Sequence, residues 1–240
     1  MIDRYFYINK SKYDSEAASM TDLVRRAAFK NAYKEILKIL PVEKPLSVLD
    51  VGCGTGNLAD ALAENVEAYV GIDISPNALQ IAKSRSLKNS KFVEVDLLDF
   101  EVGVRKFDVV ACMSSIDQIY YKDRSLEKIK YLLKANGLLI LEVRNANYII
   151  KKWLRWAVPS LQRVNIVSKY PHGQIIDLTF DQWIDLVRRN GFEIVQIRRA
   201  YRPAYATRKI EKIKVMLHRL ISLYLPIKHH NMICLILKLP

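Results

Sequence analysis

A chain of 240 residues has the length of one α/β domain with additions and is cramped for two, yet it is long enough to bury a sizeable core. Half of its residues are hydrophobic, but no uncharged apolar run reaches the ~18–20 residues of a membrane span, which argues against an integral membrane protein. The formal charge of +13 gathers late: the cations from Arg198 to Lys238 face the single acid Glu211, a field suited to polyanions or an anionic membrane, and equally to a plain solvated face.

Met1 to Phe6 lack the basic, apolar and small-residue succession of a secretory signal, so the cytoplasm is the expected compartment. Residues 17–40 repeat apolar side chains at helical spacing until Pro41 stops the helix, which makes residues 1–45 an expected N-terminal helical segment beside a ligand cleft. Val48 to Val51 form an apolar strand that runs into Gly52-Cys53-Gly54-Thr55-Gly56. Three alternate glycines at a strand end permit positive φ and bring a ligand close to bare backbone, while the next helix offers unpaired amides. A dinucleotide fingerprint needs glycine at position 57, where the chain has Asn57, and this disfavours NAD and FAD.

A helix is expected from Asn57 to about Glu64, followed by a second strand that runs through Ile72 and ends in the carboxylate of Asp73. Ser75-Pro76 opens the next helix with a cap and a proline at its first position. A third apolar run, Phe92 to Asp96, again stops at an acid, and a fourth spans Phe107 to Met113. Asp123 is expected to cap a helix running to Lys134, with Asn136-Gly137 ending it before a buried fifth strand, Leu138 to Val143. Thr179 and Gln182 have capping-box spacing ahead of a helix that stops at Asn190-Gly191. Phe192 to Ile197 reads as a sixth strand and Met232 to Leu237 as a seventh. The alternation of strand and helix implies a parallel sheet.

Cys53, Cys112 and Cys234 lie far apart with no Cys/His cluster, so neither a disulfide framework nor a metal site is expected. Cys53 reads as a small side chain packed under a ligand rather than as a nucleophile.

Asp50-Val51-Gly52-Cys53-Gly54-Thr55-Gly56 resembles the first motif of the class I S-adenosylmethionine-dependent methyltransferases, and the resemblance extends over roughly residues 30–145. It implies an α/β, Rossmann-like, seven-stranded and mostly parallel sheet. The last strand is antiparallel and slipped between the fifth and sixth, helices cover both faces, and helical insertions follow strands five and six. It implies S-adenosylmethionine as cofactor. Gly52, Cys53, Gly54 and Gly56 would lie under the methionine portion and Asp50 would brace the turn. Asp73, with Ile74 beside it, would hold the ribose, and Asp96 would receive the adenine amino group, with Leu97 against the ring. Met113 and Ser114 would form the wall facing the methyl group. The plainer alternative for Asp73 and Asp96 is that each only caps the element that follows.

Methyl transfer is an in-line displacement, and holding both reactants in contact can supply about 7–11 kcal/mol without a covalent contribution from the protein. Many relatives place histidines after the fourth strand, whereas this chain continues Ser115-Ile116-Asp117-Gln118. Asp117 is a candidate to orient an acceptor hydroxyl, with capping or solvent exposure as its alternative. His172 is the candidate general base, set against a structural loop histidine. His229 and His230 read as exposed turn residues. The chain is expected to be a single domain over 1–240, with insertions 146–176 and 200–229 forming an acceptor lid.

Both insertions mix cations with large apolar groups, in 148–156 and 210–221, a composition that suits peripheral contact with an anionic membrane and a lipid-linked acceptor, and equally a plain lid. The expected activity is O-methylation of a small-molecule, sugar or lipid-linked acceptor. An RNA methyltransferase and a non-catalytic, cofactor-binding scaffold subunit are the alternatives.

Overall fold

The computed structural model describes residues 38, 46–62, 66–85, 87–103, 106–119, 121–146, 178–200, 226–230 and 232–240. The N-terminal helical segment, nearly all of both insertions, His172 and the membrane-facing candidates 148–156 and 210–221 lie outside these residues.

Seven strands, β1 (Leu46–Val51), β2 (Val66–Asp73), β3 (Ser90–Glu94), β4 (Phe107–Met113), β5 (Leu133–Arg144), β6 (Glu193–Arg199) and β7 (Met232–Lys238), form one sheet in the order β3-β2-β1-β4-β5-β7-β6. The β1, β2, β3, β4 and β5 pairings are parallel, and β7 runs antiparallel to both β5 and β6. The expected slip of the last strand between the fifth and sixth is therefore what the sheet shows. All six residues of β1 are buried, as an apolar strand covered on both faces requires.

Among the described residues, four helices cover the sheet. Leu58 and Leu62 of α1 (Asn57–Leu62) and Leu79 and Ala82 of α2 (Pro76–Ser84) pack on one face with Val48, Val109 and Ile140. Leu126 and Ile129 of α3 (Lys122–Leu132) and Trp183 and Val187 of α4 (Phe180–Arg189) pack on the other with Leu49, Val110 and Leu141. The connections from β1 move one way across the sheet through β2 to β3, whereas β4 lies on its other side. Such a reversal leaves a crevice beyond the C-terminal ends of β1 and β4, the usual ligand position in open α/β sheets.

Two caps follow the sequence closely. The Ser75 hydroxyl accepts from the Ala78 amide with Pro76 in the first turn, and Thr179 and Gln182 close a reciprocal capping box. Four expectations are corrected. Asp123 does not cap α3, whose N-cap is Tyr121; it lies within the first turn and its carboxylate accepts from Arg189 and Asn190 beyond the helix. That helix stops at Leu132, because Leu133 already pairs with Phe107 as strand; Asn136, at φ 64°, and Gly137 instead fall at the irregularity within β5. β3 ends at Glu94, leaving Asp96 in the following turn, where the Asp99 amide donates to the Asp96 carbonyl. His230 is buried, and the Asn145 side chain donates to its carbonyl.

Candidate active site

The turn after β1 is held by β2. The amides of Gly52 and Cys53 both donate to the Ile72 carbonyl, at 2.8 and 3.0 Å. Gly52, Gly54 and Gly56 all have positive φ. A Cβ placed on Gly52 would lie 2.4 Å from the Ser115 Cβ, so the turns after β1 and β4 touch only because position 52 has no side chain. A Cβ on Gly54 meets no heavy atom within 4 Å among the described residues. The turn is thus packed at one glycine and bare at the next, which is how backbone is offered to a ligand.

Asp73 at the end of β2 faces this turn. One of its carboxylate oxygens accepts from the Gly54 amide at 2.7 Å and the other from the Ser75 amide at 2.9 Å. A carboxylate is an acceptor on both oxygens, the chemistry that a pair of ligand hydroxyls would need. Ile74 is half-buried beside it. Asp96 is half-buried one strand over; its Oδ1 accepts from the Leu98 amide at 2.8 Å, and the Val95 amide donates to the Asp73 carbonyl. Leu97 is turned into the core beside Ile72 and Phe100.

Asp50 lies directly under the turn and is 2% exposed. Its Oδ2 accepts from the Tyr69 hydroxyl, and its Oδ1 has no hydrogen-bond partner among the described residues. Burial raises the Asp50 carboxyl to about 7, with Tyr69 opposing the shift and the charge of Asp73 adding to it. Cys53 is buried beside these two acids, and burial first, then their charge, pushes its thiol well above the usual range. A thiolate is disfavoured there, which fits a packing role.

At the β4 end, Met113 is buried opposite Glu142 of β5. Ser114 adopts φ 59°; its amide donates to the Glu142 carbonyl at 2.8 Å and its hydroxyl to Glu142 Oε1 at 2.7 Å. Asp117, in a short 3-10 turn, is buried rather than exposed, and Arg144 Nε donates to its Oδ2 at 2.6 Å. The C-terminal ends of β4 and β5 therefore carry two ordered acid pairs, Ser114–Glu142 and Asp117–Arg144, next to Gly52.

Tyr69, Glu142 and Arg144 were not anticipated from the sequence. Glu142 had a signal, since it is the charge interrupting the apolar run Leu138–Val143, but nothing local says that Tyr69 reaches Asp50 nineteen residues earlier. Among the described residues no group of three His, Cys, Asp or Glu side chains is arranged to hold a metal ion, and no helix is long and apolar enough to cross a membrane.

The sequence is similar to curated proteins named ubiquinone biosynthesis O-methyltransferase. It is 28% identical to one from Coxiella burnetii (strain Dugway 5J108-111) over 128 residues, 52% of this chain and 54% of that protein. It is 25% identical to one from Azoarcus sp. (strain BH72) over 179 residues, 71% and 76% respectively. The chain thus spans about half the length of the Coxiella protein. Among solved structures, the fold is shared with a putative methyltransferase in complex with the Haloferax volcanii Trm112 activator, at TM-score 0.69, 18% identity and 95% and 97% coverage of the two chains. It is shared also with the plantazolicin methyltransferase BpumL in complex with a monoazolic desmethylPZN analog and SAH, at TM-score 0.62, 16% identity and 97% and 91% coverage. With the methyltransferase domain family matching residues 18–197, the chain belongs to that family, within the class I S-adenosylmethionine-dependent superfamily.

Proposed function

We propose that this protein binds S-adenosylmethionine and methylates an oxygen of a small-molecule, sugar or lipid-linked acceptor. The observation that carries the proposal is the hydrogen bond from the Gly54 amide to Asp73, which joins the glycine turn and the strand-end acid into one cradle at the sheet reversal. The residues fit the cofactor: bare backbone at Gly54, the Asp73 carboxylate hydrogen-bonded to that backbone, and an orphaned acid oxygen on Asp50 beneath the turn. When bound, the cofactor supplies an electrophilic methyl group on sulfur. Gly52, Cys53, Gly54 and Gly56 form the floor and Asp73 with Ile74 takes the ribose hydroxyls. Asp96 borders the base, while Leu97 anchors that turn in the core, and Met113 and Ser114 wall the reacting end.

Asp117, fixed by Arg144, orients the acceptor hydroxyl, and its buried setting keeps water from competing for it. His172 is the proposed base and lies outside the described residues. The O-methyltransferase names of the curated relatives support an oxygen acceptor and, with the cation-rich apolar segments, a prenylated phenol visited at an anionic membrane surface by a cytoplasmic protein.

Titration calorimetry with S-adenosylhomocysteine tests the cofactor assignment. Binding that Asp73→Ala weakens by tenfold or more supports it, and no affinity in the native protein defeats it. Methyl-labelled cofactor offered with a catechol, with prenylated phenols or with total RNA tests the acceptor. Label in the phenols supports an oxygen acceptor, and label confined to RNA overturns it.

A further inference from the structure

Among the described residues, Asp50 is an acid without a compensating charge. It is the penultimate residue of β1, packed between β2 and β4, with a single hydroxyl donor on one oxygen and no hydrogen-bond partner among the described residues on the other. The groups that face it among the described residues are Tyr69 and Asp73 from β2, Cys53 from the turn and Cys112 from β4. None of these is cationic. Arg85, past the end of α2, reaches the same turn but is tied to Asn57 at 3.0 Å and Thr55 at 3.3 Å. A buried carboxylate so placed is costly, and its neutral form is favoured until a positive charge arrives.

We propose that Asp50 is a proton-linked counter-charge for the cofactor: neutral in the free protein, it gives up its proton when a cationic ligand seats on the turn at Gly52 and Gly54. Only the Asp50 O–H bond breaks; the oxygen keeps the electron pair and the proton passes to solvent. The inference rests on the cofactor assignment above and extends it. The sulfonium gives S-adenosylmethionine one more positive charge than S-adenosylhomocysteine, so an ionised Asp50 favours substrate cofactor over product. Burial sets the carboxyl at about 7, which places this change of state at neutral pH.

The test is calorimetry of S-adenosylmethionine binding near pH 7 in buffers of different ionisation enthalpy, with the native chain and Asp50→Asn. The difference between the two isolates Asp50 from the titration of the ligand's own amino group. The native protein is expected to release up to roughly half a proton more than the variant, and the excess to fade by about pH 9, where Asp50 is already ionised. Equal proton exchange in the two proteins overturns the proposal. Should Asp50→Asn fail to fold, Tyr69→Phe serves: loss of the hydroxyl donor moves the release window to higher pH, and an unmoved window overturns the proposal. Absence of any binding by the native chain defeats the cofactor assignment instead.

Discussion

A side chain at position 52 would stand 2.4 Å from the Ser115 Cβ, while one at position 54 meets no described atom within 4 Å, although both backbones are left-handed. The two glycines therefore fail differently. Gly52→Ala combines left-handed backbone strain with overpacking and is expected to cost on the order of 2–5 kcal/mol, enough to threaten folding. Gly54→Ala carries only the strain, about 1–2 kcal/mol, and leaves the sheet intact. Its methyl group enters the space proposed for the cofactor, so S-adenosylhomocysteine affinity is expected to fall at least tenfold with only a modest fall in Tm. Thermal denaturation beside calorimetry checks this contrast. Equal affinity in Gly54→Ala and the native chain would mean that the ligand lies elsewhere.

Among the elements, the junction after β5 holds the site's far wall in place. Buried Asn145 accepts from the Phe180 amide at 2.9 Å, where α4 begins, and donates to the carbonyls of Lys228 and His230, ahead of β7. One residue earlier, the Arg144 carbonyl accepts from the Trp183 indole at 2.8 Å, while its side chain holds Asp117. Asn145→Ala leaves these backbone groups without their partner and is expected to cost about 2–4 kcal/mol by urea denaturation, with m unchanged. Asn145→Asp keeps the acceptor for Phe180 but turns a carboxylate oxygen toward two carbonyls, so above about pH 5 it is expected to be worse than alanine. If the two variants prove equally stable, Asn145 does not hold this junction together. The reason this junction was not legible in the sequence is physical. Caps and glycine turns depend on residues three or four apart, which is why Ser75-Pro76, Thr179/Gln182 and the turn at 52–56 could be read directly. Asn145 and Tyr69 act across 83 and 19 residues respectively, and α3 ends earlier than its local signals indicate because pairing of Leu133 with Phe107 overrides the Asn136-Gly137 stop signal.

Across the whole molecule, two acids pull the pH dependence of stability in opposite directions. At the opposite end of β4 from the site, burial works to raise the Asp108 carboxyl, but hydrogen bonds from Lys134 and Ser47 overcome it and hold the group well below the carboxylate range. That stabilisation is present above about pH 4 and is lost as pH falls further, because the unfolded chain then takes up a proton that the folded one resists. Asp50 has the reverse sign. Between about pH 4 and 7 the unfolded chain ionises this acid while the folded chain keeps it protonated, so the free protein loses stability over that interval and levels off above it. A shift from 3.8 to about 7 in a fully buried group corresponds to roughly 4 kcal/mol at most. The ligand-free protein is therefore expected to be most stable at weakly acidic pH, and Asp50→Asn to flatten the decline between pH 4 and 7 while leaving the acid limb unchanged. Asp108→Asn should remove part of the acid limb alone. Urea denaturation from pH 3 to 9 checks both. A native stability curve that rises from pH 4 to 7, with Asp50→Asn parallel to it, would show that Asp50 is already ionised beneath the turn and has no proton to release.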